Sequence, residues 1–291
     1  MSKSSYKKTI AVTGGASGLG RATAECFARH GYSICVADIN QERGDETVAA
    51  LQALGADAFY LHCDVRSDQD IENLRASAEQ RWGGLGVIIN NAGVATGGRI
   101  ETTPIDDWEW VISINLMGVV RGCKAFTPLF KKQGYGHIVN ISSLAGLVSA
   151  PMMSSYNTTK GAVVSLSETL RYELEPFGIN TSVVCPAFFQ TNLAESFRTG
   201  DPGMEKAVHK LLASSKVTAD DVANDIYKAV QNKTFYVLPH REGRFAWRMK
   251  KYLHPIFKMM VNKGYKKVLA KQGVDLKQAA QQTEKRAEGV S

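Results

Sequence analysis

The chain predicts an α/β fold with a doubly wound parallel sheet of about seven strands, and three features of its 291 residues point there. Short apolar runs alternate with stretches of helical spacing through the first 239 residues. A glycine cluster follows the first apolar run. Seven strands alternating with helices imply a parallel sheet covered on both faces, because parallel strands need crossover connections.

Lys8–Thr13 is the first strand, stopping at a glycine cluster, and Leu19–Arg29 is the first helix, with Ala22, Cys26 and Phe27 on one face. Ser33–Ala37 and Ala58–His62 are β-rich, separated by a helical Gln41–Leu54 that Gly55 closes. Helix Asp68–Trp82, strand Val87–Asn90 and one long helix, Pro104–Lys131, continue the alternation. Strand His137–Ile141, helix Ser154–Phe177, strand Ile179–Cys185, helix Ala219–Val230 and strand Phe235–Leu238 complete it. Residues 1–239 therefore read as one domain and residues 240–291 as a basic, amphipathic helical extension.

Composition narrows the classes. A hydrophobic fraction of 44% with 22% charged residues suits a soluble globular protein with a sizeable core. The five cysteines, Cys26, Cys35, Cys63, Cys123 and Cys185, are odd in number, dispersed and without a CxxC pair. They read as reduced thiols of a cytoplasmic protein, with neither a disulfide framework nor a metal site. No apolar run reaches the ~18 residues of a membrane-spanning helix, and the first eight residues lack the apolar run of a secretory signal. The net charge of +7 is uneven: thirteen Lys and Arg face four acids from His240 onward, so that segment carries +9 and the preceding residues −2.

The first strand runs into Thr13-Gly14-Gly15-Ala16-Ser17-Gly18-Leu19-Gly20, where a helix opens. Glycines there let the backbone approach a pyrophosphate, and the helix N-terminus offers free N–H groups to it, the Rossmann-like arrangement. Asp38 ends the second strand, eighteen residues past Gly20, where a carboxylate can accept from an adenosine ribose. It would repel a 2′-phosphate, and neither Ala16 nor Ser17 offers a cation to hold one, so NAD(H) is favoured over NADP(H). A plainer role for Asp38 is to cap the following helix.

These segments resemble the short-chain dehydrogenase/reductase family. Thr13–Gly20 is similar to its TGxxxGxG turn, and Asn90-Asn91-Ala92-Gly93 to its NNAG segment. Ser143 stands thirteen residues before Tyr156, and Tyr156-Asn157-Thr158-Thr159-Lys160 matches YxxxK. The resemblance implies a catalytic set of Asn115, Ser143, Tyr156 and Lys160. It implies cofactor contacts from Gly14, Ser17, Gly18, Leu19, Gly20, Asp38, Asp64, Val65, Asn91, Ala92, Gly93, Tyr156, Lys160, Pro186 and Thr191. The family's PG is Pro186-Ala187 here, although Thr191 keeps its place. A homodimer or homotetramer is expected.

The chemistry requires such residues. Reducing a carbonyl needs a hydride at carbon and a proton at oxygen, and a free tyrosine, with a pKa near ~10, is a poor base. Lys160 lies one helical turn from Tyr156; its ammonium and the positive nicotinamide should depress the tyrosine pKa. By resemblance, Lys160 also binds the nicotinamide ribose, Ser143 donates to the substrate oxygen, and Asn115 holds a water that links Lys160 to solvent.

The substrate, a small alcohol or carbonyl compound, should meet an apolar wall of Val94, Leu144, Leu147, Val148, Met152, Met153, Phe188, Phe189, Leu193 and Phe197. That inventory suits a lipophilic secondary alcohol, ketone or aldehyde. No arginine is obviously placed to grip a carboxylate there, although Arg99 and Arg198 could do so. In the extension, Phe245, Met249, Tyr252, Leu253, Ile256, Phe257 and Met260 recur at helical spacing among cations, and Pro255 should divide the segment into two helices. Residues 244–269 could fold onto the domain, meet another subunit or touch an anionic membrane surface. No nucleic-acid recognition module accompanies the charge. The rival readings are a non-catalytic NAD-binding scaffold or sensor, and an epimerase or dehydratase on the same fold.

Overall fold

In the computed structural model, the described residues are 7–189, 192–201, 204–205, 208 and 215–271. The chain divides into two compact units, one reaching Arg244 and one beginning at Phe245.

In the first unit a seven-stranded sheet runs in the order β3-β2-β1-β4-β6-β7-β9, every adjacent pair parallel. Its strands are β1 (Thr9–Thr13), β2 (Ser33–Asp38), β3 (Ala58–His62), β4 (Val87–Asn90), β6 (Gly136–Ile141), β7 (Ile179–Val184) and β9 (Tyr236–Val237). Two further strands, β5 (Thr96–Gly97) and β8 (Arg198–Thr199), pair with each other outside it. Helices α1 (Gly18–Arg29), α2 (Gln41–Ala53), α3 (Asp68–Trp82), α4 (Ile105–Asn115) and α5 (Met117–Gln133) precede β6 or connect strands before it. Helices α6 (Leu144–Val148), α7 (Ser154–Leu174) and α8 (Ala219–Asn232) follow it.

The strands are buried on both faces, which is why they read as continuous apolar runs rather than as alternation. Alternate residues nonetheless serve different cores. Ile10, Val12, Val36, Ile89 and Val139 pack on one face with Phe27 of α1 and Ile226 of α8. Ala11, Cys35, Ile88 and Ile138 pack on the other with Leu74 of α3 and Phe126 and Phe130 of α5. Each fully buried side chain of this size contributes about 1.5–3 kcal/mol. All five cysteines are buried and unpaired. Burial pushes their thiols up, to about 12 for Cys63, Cys123 and Cys185.

The segment expected as one long helix is two. Helix α4 stops at Asn115 and α5 starts at Met117, with Leu116 between them at φ −107° and ψ −60°. The break falls where Asn115 turns its amide onto a neighbouring backbone, a contact that hydrophobic spacing does not reveal. The helix predicted to Phe177 instead ends at Leu174 and tightens into a 3₁₀ turn, Glu175–Phe177.

Helices α9 (Arg241–Tyr252) and α10 (His254–Lys271) are separate, and Pro255 occupies the first turn of the latter, where its missing N–H costs nothing. No helix among the described residues is long and apolar enough to cross a membrane.

Candidate active site

Strand order reverses between β1 and β4, and in open parallel sheets the crevice at that point receives ligands. A cavity of about 640 Å³ opens there, beyond the carboxyl ends of β1, β2, β4, β6 and β7.

Its first wall is the turn between β1 and α1. Gly14 (φ +62°) and Gly18 (φ +50°) take left-handed backbone conformations. A Cβ on Gly20 would run into the Gly14 carbonyl and the Asn91 amide. Thr13, the first residue of the turn motif, ties two loops together. Its hydroxyl accepts from the N–H groups of Asn91 and Ala92 at 3.0 and 3.2 Å. Asn91 returns two bonds, its Nδ2 donating to the carbonyls of Thr13 and Gly14 at 2.9 and 3.0 Å. Ser17 sits at the α1 N-cap without a side-chain capping bond. Gly14, Ser17, Gly18, Leu19, Asn91, Ala92 and Gly93 all line the cavity, whereas Gly20 supports the turn from behind. Asn90 is a core residue: its Nδ2 donates to Asn140 Oδ1 at 2.9 Å in a buried link between β4 and β6.

Asp38 lines the same cavity. Its Oδ2 accepts from Ala16 N and its Oδ1 from Asn40 N, both at 3.0 Å. Capping of α2 falls to Asn40, whose Oδ1 accepts from Arg43 N at 2.9 Å. Asp64 and Val65 also line the wall. The Asp64 carboxylate is paired with Arg66 at 2.6 Å, and that hydrogen bond holds it below the usual carboxylate range.

Helices α6 and α7 bring the catalytic candidates to the opposite wall. Tyr156 and Lys160 lie in the first two turns of α7, and Lys160 Nζ is 5.7 Å from the centre of the Tyr156 ring. Lys160 Nζ donates to the Ile141 carbonyl at 3.0 Å, and Ser142 Oγ donates to the Lys160 carbonyl at 2.7 Å. Ser143 caps α6, its Oγ accepting from Ala145 N at 3.1 Å and donating to the Pro186 carbonyl at 3.4 Å. Asn115 is fully buried; its Oδ1 accepts from Val94 N at 2.8 Å and its Nδ2 donates to Val94 O at 2.9 Å. Each end of its amide thus makes one bond to the Val94 backbone, which leaves one Nδ2–H and one Oδ1 lone pair over.

Burial dominates the protonation energetics of the chain on its own. Burial pushes the Tyr156 phenol up, to about 12, against the smaller downward pull of the Ser143 hydrogen bond. Burial likewise brings Lys160 down, to about 8. Desolvation disfavours both charged forms, and Tyr156 packs among Ala95 and Met153 with Phe188, Leu193 and Phe197 beside them.

Of the residues expected to form the apolar wall, Val94, Leu144, Val148, Met153, Phe188, Phe189, Leu193 and Phe197 face the cavity. Leu147 is instead buried in the protein, and Met152 adopts φ +63°, accepting from Gly98 N at its carbonyl. A non-glycine residue there costs about 1–2 kcal/mol, and Ser149 (φ +55°) shares that cost in the same loop. Trp110 and Ile114 join the wall from α4; a search confined to loops after strands misses them. Neither candidate carboxylate grip is open. Arg99 pairs with Asp201 at 3.0 Å, and Arg198 pairs with Asp107 at 3.4 Å while stacking on Trp110 at 3.7 Å. Pro186 and Ala187 line the cavity, with Ala187 N donating to His240 Nδ1 at 3.1 Å. Thr191 lies outside the described residues.

Residues 8–202 match the sequence model of the short chain dehydrogenase family. A CLA biosynthesis dehydrogenase/reductase of Lactiplantibacillus plantarum is 32% identical over 253 residues, 81% of this chain and 88% of that protein. The probable oxidoreductase EphD of Mycobacterium tuberculosis is 34% identical over 77% of this chain, which spans only 39% of EphD. Among solved structures, a short chain dehydrogenase/reductase of Burkholderia phymatum in complex with NAD superposes with a TM-score of 0.81 at 32% identity, covering 88% of this chain and 95% of that one. LigD of Sphingobium sp. strain SYK-6, in its apo form, gives a TM-score of 0.73 at 30% identity over 86% and 96%. The matched family, relatives and shared fold agree, and the chain belongs to the short-chain dehydrogenase/reductase family of oxidoreductases.

Proposed function

We propose that the protein transfers a hydride between NAD(H) and a neutral, lipophilic secondary alcohol, ketone or aldehyde. One observation carries this reading: a single cavity joins the Gly14–Gly20 turn and Asp38 at one end to Ser143, Tyr156 and Lys160 at the other. The turn fits a dinucleotide, because Gly14 and Gly18 present backbone without a side chain to the cavity and the N-terminus of α1 opens onto it. Asp38 suits a ribose diol, which favours NAD(H); the resemblance to the Burkholderia protein supports the same choice.

Held by the Gly14–Gly20 turn and Asp38, a reduced nicotinamide would supply the hydride that a carbonyl carbon needs. Tyr156 gives its phenolic proton to the carbonyl oxygen, and Ser143 donates a hydrogen bond to that oxygen as charge develops. Lys160, with its pKa near 8, can return a proton toward Tyr156 at close to neutral pH. The apolar wall, and the engagement of Arg99 and Arg198 elsewhere, favour uncharged substrates. The working form in this reading is a cytoplasmic homodimer or homotetramer, checked by light scattering.

A panel of lipophilic secondary alcohols, ketones and aldehydes, assayed with NAD(H) and NADP(H) by nicotinamide absorbance, tests the proposal. NAD(H) should be preferred, and Asp38→Ala should erode the preference. Cofactor binding without turnover of any compound would favour the scaffold or sensor reading; better use of NADP(H) would sink the Asp38 assignment.

For the second unit a peripheral contact with an anionic membrane surface is favoured by its charge. Residues 245–271 contain eight cations and no carboxylate, while Phe245, Tyr252, Leu253, Ile256, Met259 and Met260 are exposed. Sedimentation with phosphatidylserine vesicles, absent with phosphatidylcholine and weakened by salt, is the expected result. Equal binding to both lipids, or to neither, would dismiss it.

A further inference from the structure

The loop that leads into Tyr156 holds two non-glycine residues in the left-handed region, Ser149 and Met152. Its supports come from distant sequence. Gly98 N donates to the Met152 carbonyl at 2.8 Å, and Gly98 forms a bridge with Met153. Thr96 Oγ1 and Ser155 Oγ share a buried hydrogen bond of 2.7 Å. Residues 96–98 are in turn held by a second segment: β8 pairs with β5, and Arg198 N donates to the Ala95 carbonyl at 3.1 Å.

At the outer end of these rungs sits Asp201, only 4% exposed. Its Oδ2 accepts from Arg99 N at 2.6 Å and from Thr102 Oγ1 at 2.7 Å. Its Oδ1 accepts from Arg99 Nε at 3.1 Å and pairs with Arg99 Nη2 at 3.0 Å. Four donors converge on one carboxylate and close the turn that begins at Gly98. A surface ion pair would hold little; a buried carboxylate with charge-assisted bonds to backbone and side chain holds its geometry firmly.

We propose that Asp201 is a positioning residue for Tyr156: it locks residues 198–201 onto residues 95–102, which hold the strained loop that places the phenol in the cavity. The proposal rests on Tyr156 being the acid–base group. The lock stays shut across the working pH range. Burial alone would raise the Asp201 pKa, but the bonds from Thr102 and Arg99, with the Arg99 charge, keep it below the ordinary value.

The test uses the full chain carrying Asp201→Asn, with Thr102→Val as a milder break and Asp107→Asn as a control that frees Arg198 on the same segment. Backbone hydrogen exchange is followed together with NADH affinity and turnover of 1-phenylethanol with NAD. In Asp201→Asn, exchange at residues 98 and 153–156 should quicken at least tenfold, with residues 87–90 and 136–141 unchanged. NADH affinity should stay within twofold, and kcat should fall at least tenfold with little change in KM. Thr102→Val should shift the same amides by less, and Asp107→Asn should leave them alone. Faster exchange confined to residues 198–201, or spread through the sheet, would overturn the proposal, as would a drop in KM-dependent rate alone. A wild-type chain inert toward 1-phenylethanol would count against that substrate class, while the exchange result would still decide the role of Asp201.

Discussion

The two ends of the cavity are built from different materials. At the cofactor end, main-chain groups do the shaping: two glycines with positive φ, carbonyls held by Asn91, and a turn braced by Thr13. At the catalytic end, side chains of α4, α6, α7 and the segment after β7 form an apolar wall around two buried titratable groups. A backbone-built site tolerates almost no added atoms, because the chain itself must move to admit them. A side-chain-built site tolerates reshaping, but its electrostatics depend on each group present. Binding and chemistry should therefore be separable by mutation.

The largest effect expected is on that separation. Tyr156→Phe should cut turnover by roughly 10²–10⁴-fold, the span of general acid–base catalysis, while NADH titration shows unchanged affinity. A parallel loss of NADH binding would mean that the two ends are one structural unit.

Lys160→Met sharpens the electrostatic half of the contrast. A base with a folded pKa below its unfolded value leaves the unfolded chain binding more protons between the two values, so folding stability rises with pH there. With Lys160 at about 8, the wild type should gain on Lys160→Met by up to about 3 kcal/mol between pH 8 and about 10.5, measured by urea unfolding without cofactor. A constant difference across that window would show that Lys160 is not held partly neutral by burial.

Gly20→Ala probes the other end. The added methyl meets the Gly14 carbonyl, and overpacking of this kind costs about 1–3 kcal/mol. NADH affinity should weaken by roughly tenfold or more, with Tyr156 chemistry intact at saturating cofactor. The smallest effect belongs to Glu195→Gln. Its pair with Arg43 at 2.9 Å crosses the mouth of the cavity but is well exposed, and such pairs contribute about 0.2–1 kcal/mol. NADH affinity should move by less than about fivefold, and less again in high salt.

The same contrast explains what could be read in advance. Backbone requirements leave local traces in sequence, so the glycine turn, Asp38, the NNAG segment and the Tyr156–Lys160 spacing were legible, as was the alternation that makes the sheet. Contacts between side chains far apart in sequence leave no such trace. Nothing in the spacing around Asn115 reports that its amide is committed to Val94, or that the helix breaks beside it. Arg99 looked open until Asp201, 102 residues later, was placed against it. Trp110 and Ile114 were overlooked because α4 reaches the cavity by tertiary packing rather than by following a strand end. The upward push of burial on Tyr156 is illegible for a related reason: one-turn spacing shows that a lysine is near, whereas burial of both groups emerges only when the wall closes round them.

The burial of all five thiols has a further consequence. Thiolate is the reactive form, and with their pKa values raised these cysteines offer almost none at neutral pH. Alkylation of the native chain must then wait for the structure around each cysteine to open. Cys26 lies on α1, Cys35 on β2, Cys63 just after β3, Cys123 on α5 and Cys185 just after β7. They act as five timers across the sheet and its two covering layers, and their relative labelling rates rank which layer lets go first.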